Sequence, residues 1–205
     1  MANQLLEKIF TRRCIRVFKN KKVSKKDLES IVEAGLRAPS SKNSEPWYLV
    51  VVEGEEKEEV AKSIEKNFHK YARVPQNTKG QKITTVPDTT RESIQIIRDS
   101  SALILIFDKQ PYSKGIFEMT EIEARVLYSF SVEIVGIGAC MENVLLAAHS
   151  LGLGAVPIAD IYPAALDIKK KFKIPYMFSI GIAIGYPGEK VPKRRINKKK
   201  FTKWI

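Results

Sequence analysis

Three arginines fall within five residues, Arg12, Arg13 and Arg16, interleaved with Cys14 and Ile15. A guanidinium is a planar fork that grips phosphate bidentately, so this spacing suits an anion. Cations just past a short helix also complement its dipole, an equally ordinary structural use. A second polar stretch, Ala38-Pro39-Ser40-Ser41-Lys42-Asn43-Ser44-Glu45-Pro46-Trp47, joins a helical run to a strand-like run. Pro39 and Pro46 fix φ and push the residue before each toward extended geometry, so the loop is stiff. Its hydroxyls, the Asn43 amide and its free backbone N–H groups suit a planar polar ligand, although a plain helix-to-strand connection has the same composition. Cys14 and Cys140, with His69 and His149, lack the spacing of a metal site or an iron–sulfur cluster, and two cysteines are too few for a disulfide framework.

The hydrophobic spacing predicts the elements that must hold these residues. Residues 3–11 read as a short helix, capped by Asn3, with Leu5, Leu6, Ile9 and Phe10 on one face. Ser24 to Asp27 has the form of a capping box, opening a helix with Leu28, Ile31, Val32 and Leu36 as its buried stripe. Trp47–Val52 reads as a strand, and a third helix after Gly54 carries Val60, Ala61, Ile64, Phe68 and Tyr71. Thr89-Thr90-Arg91-Glu92 caps a helix with Ile94 and Ile97, and the unbroken apolar run Ala102–Phe107 reads as a fully buried strand. The longest helix aligns Leu127, Phe130, Ile134, Ile137, Met141, Val144, Ala148 and Leu151 as core or helix seam. Gly136, Gly138 and Ala139 shave its other face for close approach, and Gly152 and Gly154 end it. Ala155–Ile158 continues as an extended segment. A helix from Pro163 runs to Lys169-Lys170-Lys171, and Met177–Ile184 makes a last strand.

At 205 residues the chain has room for one well-buried domain, 1–205, and its 44% hydrophobic content excludes general disorder. No apolar run approaches a bilayer span, and the first ten residues lack a signal peptide's core, so a cytoplasmic protein without a membrane partner is expected. The net charge of +12 admits nucleic acid, anionic surfaces or phosphorylated small molecules as partners. A lysine-rich solvated surface explains the same number. No G-x-G-x-x-G or P-loop follows a strand, and strands and helices mix without βαβ alternation, which favours α+β.

Arg12-Arg13-Cys14-Ile15-Arg16-Val17-Phe18, the Ala38–Trp47 stretch, Gly152-Leu153-Gly154-Ala155-Val156-Pro157-Ile158, and Ile184-Gly185-Tyr186-Pro187-Gly188 with Pro192-Lys193-Arg194-Arg195 resemble, in order, the signature blocks of the FMN-dependent nitroreductase family. The resemblance covers residues 8–196. It implies a central, mostly antiparallel sheet flanked by helices in an intertwined homodimer, with noncovalent FMN at the subunit interface. By the same resemblance Arg12, Arg13, Cys14 and Arg16 meet the phosphate and the ribityl or pyrimidine end, and Lys193 and Arg195 return to the phosphate. Pro39, Ser40, Ser41 and Asn43 come from the other subunit, and Pro157, Ile158 and Ala159 lie along the ring near N5. The implied reaction takes hydride from NADH or NADPH and reduces a small-molecule acceptor, nitroaromatic or quinone, by a ping-pong cycle, with no catalytic side chain. Reductive dehalogenation or flavin degradation on the same fold is the alternative. A basic nucleic-acid-binding protein is the lesser one, resting on the tail Lys190–Lys203 with Phe201 and Trp204.

Residues 72–90, broken by Pro75, Asn77, Gly80 and Pro87, suit a mobile loop or lid, and the basic 190–205 extension suits packing on the partner subunit. Three positions depart from the family pattern. Cys14 stands where serine is common and gives a weaker thiol contact. Glu45 replaces a frequent glutamine, and Ala159 sits where many members carry a polar or acidic residue.

Overall fold

Strand β2 (Ala102–Asp108) is buried at every residue, as its unbroken apolarity predicts, and the sheet is built around it. It pairs with β1 (Trp47–Glu53) on one side and β4 (Met177–Gly185) on the other; β3 (Gly154–Ile158) closes the order β1-β2-β4-β3, with every pairing antiparallel. The helices are α1 (Gln4–Thr11), α2 (Lys25–Leu36), α3 (Gly54–Asn67), α4 (Asp88–Asp99), α5 (Glu123–Ser150) and α6 (Ala165–Phe172). This computed structural model describes residues 4–68, 88–112, 123–194, 196 and 202. The lid expected over 72–90 lies mostly outside them, and its last three residues form the first turn of α4 instead. Tyr71, His69, Arg195, Phe201 and Trp204 also lie outside.

The two-residue period of β2 divides the interior into two layers. Leu103, Leu105 and Phe107 pack with Val60 and Ile64 of α3 and Ile94 and Ile97 of α4. Ala102, Ile104 and Ile106 face the other way, onto Ile31 of α2 and Ile137, Val144 and Ala148 of α5. Each such fully buried aliphatic side chain contributes about 1.5–3 kcal/mol, so both sheet faces anchor their helices firmly.

Helix α2 starts as its sequence predicts: Ser24 Oγ accepts the Asp27 N–H at 3.0 Å and donates to Asp27 Oδ2 at 2.7 Å. Its stripe ends one residue early, since Leu36 is exposed. The α5 stripe divides along its length. Ile137, Val144 and Ala148 are buried, whereas Phe130, Ile134 and Leu151 are exposed. Gly136 is the close-approach residue of that helix; a Cβ there would meet Pro46 Cγ at 3.1 Å, while one at Gly138 meets nothing within 4 Å. Ser129–Ser150 is long and apolar enough to cross a membrane, with a mean hydropathy of 1.5, so the expectation that no stretch approaches that length does not hold. Its inner face is occupied by α2 and the sheet. Gly152, at φ 75°, turns the chain after α5, and Gly154 belongs to β3 rather than to the helix end.

The arginine segment is attached to the outer edge of β3. Cys14 bridges Ala155 in parallel, and the Ile15 N–H donates to the Ala155 carbonyl at 3.2 Å. Further on, Lys19 N–H donates to Tyr186 O and Gly188 N–H to Val17 O, both at 2.8 Å. Gly154 makes the approach possible, because a Cβ on it would lie 2.7 Å from Ile15 Cβ. Gly154→Ala is therefore expected to cost about 1–3 kcal/mol by overpacking, measured as a lower urea midpoint with an unchanged slope. An unmoved midpoint would mean that the segment yields freely.

Candidate functional site

The outer edge of β3 gathers residues from three distant parts of the chain. Arg12 lies at the end of α1, half-buried, its Nε donating to Glu142 Oε1 of α5 at 2.9 Å. Beside it Thr11 Oγ1 is 2.9 Å from His149 Nε2, which ties α1 to the last turn of α5. Burial, and then the charges of Lys8, Arg12 and Arg13, hold the His149 imidazole below its usual range, so it serves as a neutral hydrogen-bonding partner. Arg13 donates through Nε to the Pro192 carbonyl at 3.1 Å. The C-terminal block is thereby held to Arg13, one residue from Lys193. Arg16 is exposed. Its backbone N–H and that of Val17 both donate to Glu189 Oε1, at 2.6 and 3.1 Å. That carboxylate pins the segment around Arg16 to the one around Glu189. Cys14 is half-buried on β3.

At the far end of β3 the three apolar candidates differ. Ile158 is buried in the core with Phe178 and Ile161, so only its backbone is available to a ligand. Pro157 is half-buried and Ala159 exposed. They offer a small apolar wall beside the cationic edge.

The loop 38–46 is a separate feature of the chain. Ser41–Asn43 is a single 3₁₀ turn, and Lys42, Asn43 and Glu45 all take left-handed φ, at 49°, 53° and 46°. Ser40 Oγ accepts the Glu45 N–H at 3.0 Å, and Ser40 O accepts from Asn43. Pro39 and Asn43 are exposed; Ser40 and Ser41 are half-buried. Pro46 and Ser40 rest on Gly136. Arg12 pairs six residues further along α5, about 9 Å at the helical rise. Within one chain the structure brings Arg12, Arg13, Cys14, Arg16 and Lys193 to one edge, and sets Pro39, Ser40, Ser41 and Asn43 apart from them.

Two acidic residues at the loop's end of the sheet were not singled out from the sequence. Asp108 is fully buried, its carboxyl pushed up to about 6 chiefly by burial, with Glu133 adding repulsion and the Gln110 N–H opposing both. Glu133 of α5 is buried too and accepts the Tyr112 N–H at 2.7 Å. The available signal was polarity out of place: an Asp ending a continuous apolar strand, and a Glu between Val132 and Ile134.

A four-stranded antiparallel sheet clasped by α2 and α5 on one face and α3 and α4 on the other is the nitroreductase fold. A nitroreductase from Desulfitobacterium hafniense, solved with bound FMN, superposes with a TM-score of 0.72 at 21% identity over the whole of both chains. The chain belongs to the Nitroreductase family, whose profile matches residues 9–186. A protein of Archaeoglobus fulgidus provisionally named NADH dehydrogenase/NAD(P)H nitroreductase is 28% identical over 190 residues, 90% of this chain and 86% of its own. A protein of Methanothermobacter thermautotrophicus with the same name is 28% identical over 191 residues, 90% of this chain and 78% of its own.

Proposed function

We propose that this chain is an FMN-dependent oxidoreductase that takes hydride from NADH or NADPH and passes it to nitroaromatic, quinone or similar acceptors by a ping-pong mechanism. The observation that carries this reading is the edge of β3, which has Arg12, Arg13 and Arg16 with the 186–193 block along it and Pro157 with Ala159 at its far end. A donor set of guanidiniums beside an apolar wall fits a phosphate-bearing planar cofactor. The names borne by the relatives support the same reading.

FMN, when bound, supplies the redox chemistry at ring N5. The chain's own residues bind and orient. Arg12, Arg13 and Arg16, with Lys193 and Arg195, hold the phosphate and the ribityl or pyrimidine end. Cys14 adds a weak thiol contact. Pro157 and Ala159 wall one side of the ring, and a backbone N–H of Ile158 or Ala159 fixes its edge. Positive charge from these arginines near the pyrimidine end would favour negative charge on the bound group. Solvent supplies protons, so no side chain acts as general acid.

The working unit is a homodimer. Leu5 at 62%, Phe10 at 67% and Val135 at 72% exposure, with Leu6, Ile9, Phe130 and Ile134 beside them, leave the outer faces of α1 and α5 uncovered. Apolar area of this kind marks an interface. A second copy placed there brings its own Pro39, Ser40, Ser41 and Asn43 toward the first copy's arginines, completing a site that one chain leaves in halves. The basic 190–205 extension packs on that partner, and the enzyme is cytoplasmic.

An absorption spectrum of the purified protein, taken with sedimentation velocity, tests the proposal. Oxidised-flavin absorbance that bleaches on anaerobic addition of NADH or NADPH, in a species of dimer mass, is the expected result. A protein that stays colourless after incubation with FMN overturns it.

A further inference from the structure

The candidate flavin loop is not held in place by its own sequence. Lys42, Asn43 and Glu45 occupy left-handed conformations that are uncommon for residues with a Cβ, and such geometry persists only where surrounding structure over-determines it. The hydrogen bonds within the loop close its turn but do not fix it to the fold. Ala38 N–H bonds back to Gly35 O at its start; past that, the described bonds that fix it come from the segment just after β2, where Lys109 N–H donates to the Pro46 carbonyl at 2.7 Å and Tyr112 Oη to the Ser41 carbonyl at 3.0 Å.

That segment is in turn tethered by the two buried carboxylates. Asp108 Oδ1 accepts the Gln110 N–H at 2.8 Å, which supports the turn at Gln110, itself at φ 53°. Glu133 Oε1 accepts the Tyr112 N–H at 2.7 Å. Glu133 and Gly136 are three residues apart on α5 and so share a face. Gly136 admits the loop, and Glu133 holds the strap that ties it down. Glu133 is 1% exposed, so its burial is costly, and the Tyr112 N–H offsets part of that cost.

The geometry points to Glu133 and Asp108 as positioning residues for the cofactor: through the Lys109–Tyr112 strap they fix Ser41 and Pro46, and with them the loop that meets the flavin. This rests on the proposal that residues 39–43 form part of the FMN site. Neither residue touches the ligand; both act through backbone N–H groups.

Hydrogen exchange at the Asn43, Ser44 and Glu45 amides of the full chain, read beside FMN titration, tests the assignment. Glu133→Ala is expected to speed exchange there about tenfold, the loss of one hydrogen bond to a buried carboxylate. Tyr112→Phe is expected to speed it about threefold. Glu133→Gln keeps an acceptor for the Tyr112 N–H and restores most of the protection. Amides of β2 stay unchanged in all three, and FMN affinity falls in the order of the exchange rates. Loop amides unmoved in Tyr112→Phe and Glu133→Ala overturn the assignment, as does Glu133→Gln behaving like alanine. Faster exchange with FMN affinity unchanged overturns the link to the cofactor. If Glu133→Ala fails to fold, Tyr112→Phe, which loses only a hydroxyl, decides alone. An unaltered chain that binds no FMN instead defeats the flavin reading, and the exchange rates still decide the tether.

Discussion

Arg16→Ala is expected to bind FMN about a hundredfold more weakly than the unaltered chain, a change of about 2.7 kcal/mol, while riboflavin affinity moves little. The guanidinium of Arg16 is exposed at the edge of β3 and has no hydrogen bond or ion pair with a described side chain; its backbone N–H is the part held, by Glu189. A charge-assisted bond to a phosphate dianion is worth more than a neutral one, and a bidentate fork makes two. Riboflavin lacks the phosphate, so the ratio of the two affinities isolates that contact from general damage to the pocket. Arg12→Ala is less clean, because it also strips Glu142 of its partner. Glu142→Gln is the control, leaving Arg12 present with an acceptor but without its counter-charge. Parallel losses of FMN and riboflavin in Arg16→Ala would remove Arg16 from the phosphate site.

The sequence disclosed the parts of this fold that depend on local periodicity and motif. Unbroken apolarity found β2, the Ser24–Asp27 pattern found the start of α2, and three arginines near a helix end marked the cationic edge. What escaped were features set by neighbours remote in sequence. Phe130 and Ile134 share a helical stripe with Ile137 and Val144, and nothing in the spacing says that the stripe leaves the core halfway. Gly136 and Gly138 look equivalent until Pro46 is seen to rest on one of them only. Ile158 and Ala159 are adjacent in a signature block, yet strand alternation sends the first into the core. Lys193 is drawn toward the arginines because Arg13 bonds Pro192, a contact 179 residues apart in sequence. Glu133 sat unnoticed in an apolar helix because its partner, an N–H of Tyr112, carries no side-chain signature at all.

Asp108 gives the second large effect, on stability rather than binding. Its carboxyl is pushed from an ordinary 3.8 up to about 6, first by burial and then by Glu133, against the Gln110 N–H. Between those two values the folded chain holds a proton that the unfolded chain has lost. Stability from the neutral carboxyl is therefore fully present below about pH 4, declines as pH rises to about 6, and is gone above that. At about 1.4 kcal/mol per pH unit, the window spans on the order of 3 kcal/mol. Asp108→Asn keeps an oxygen to accept from Gln110 and never acquires the charge. It is expected to match the unaltered chain near pH 4 and to exceed it by about 1–3 kcal/mol at pH 7, the range allowing for imperfect pairing of the new amide. Urea denaturation of both proteins from pH 4 to 8 measures the difference, and subtracting the curves cancels every other titrating group. Curves that stay parallel across the window would show that Asp108 is ionised in the fold throughout. The buried end of β2 would then need a compensating cation close to it.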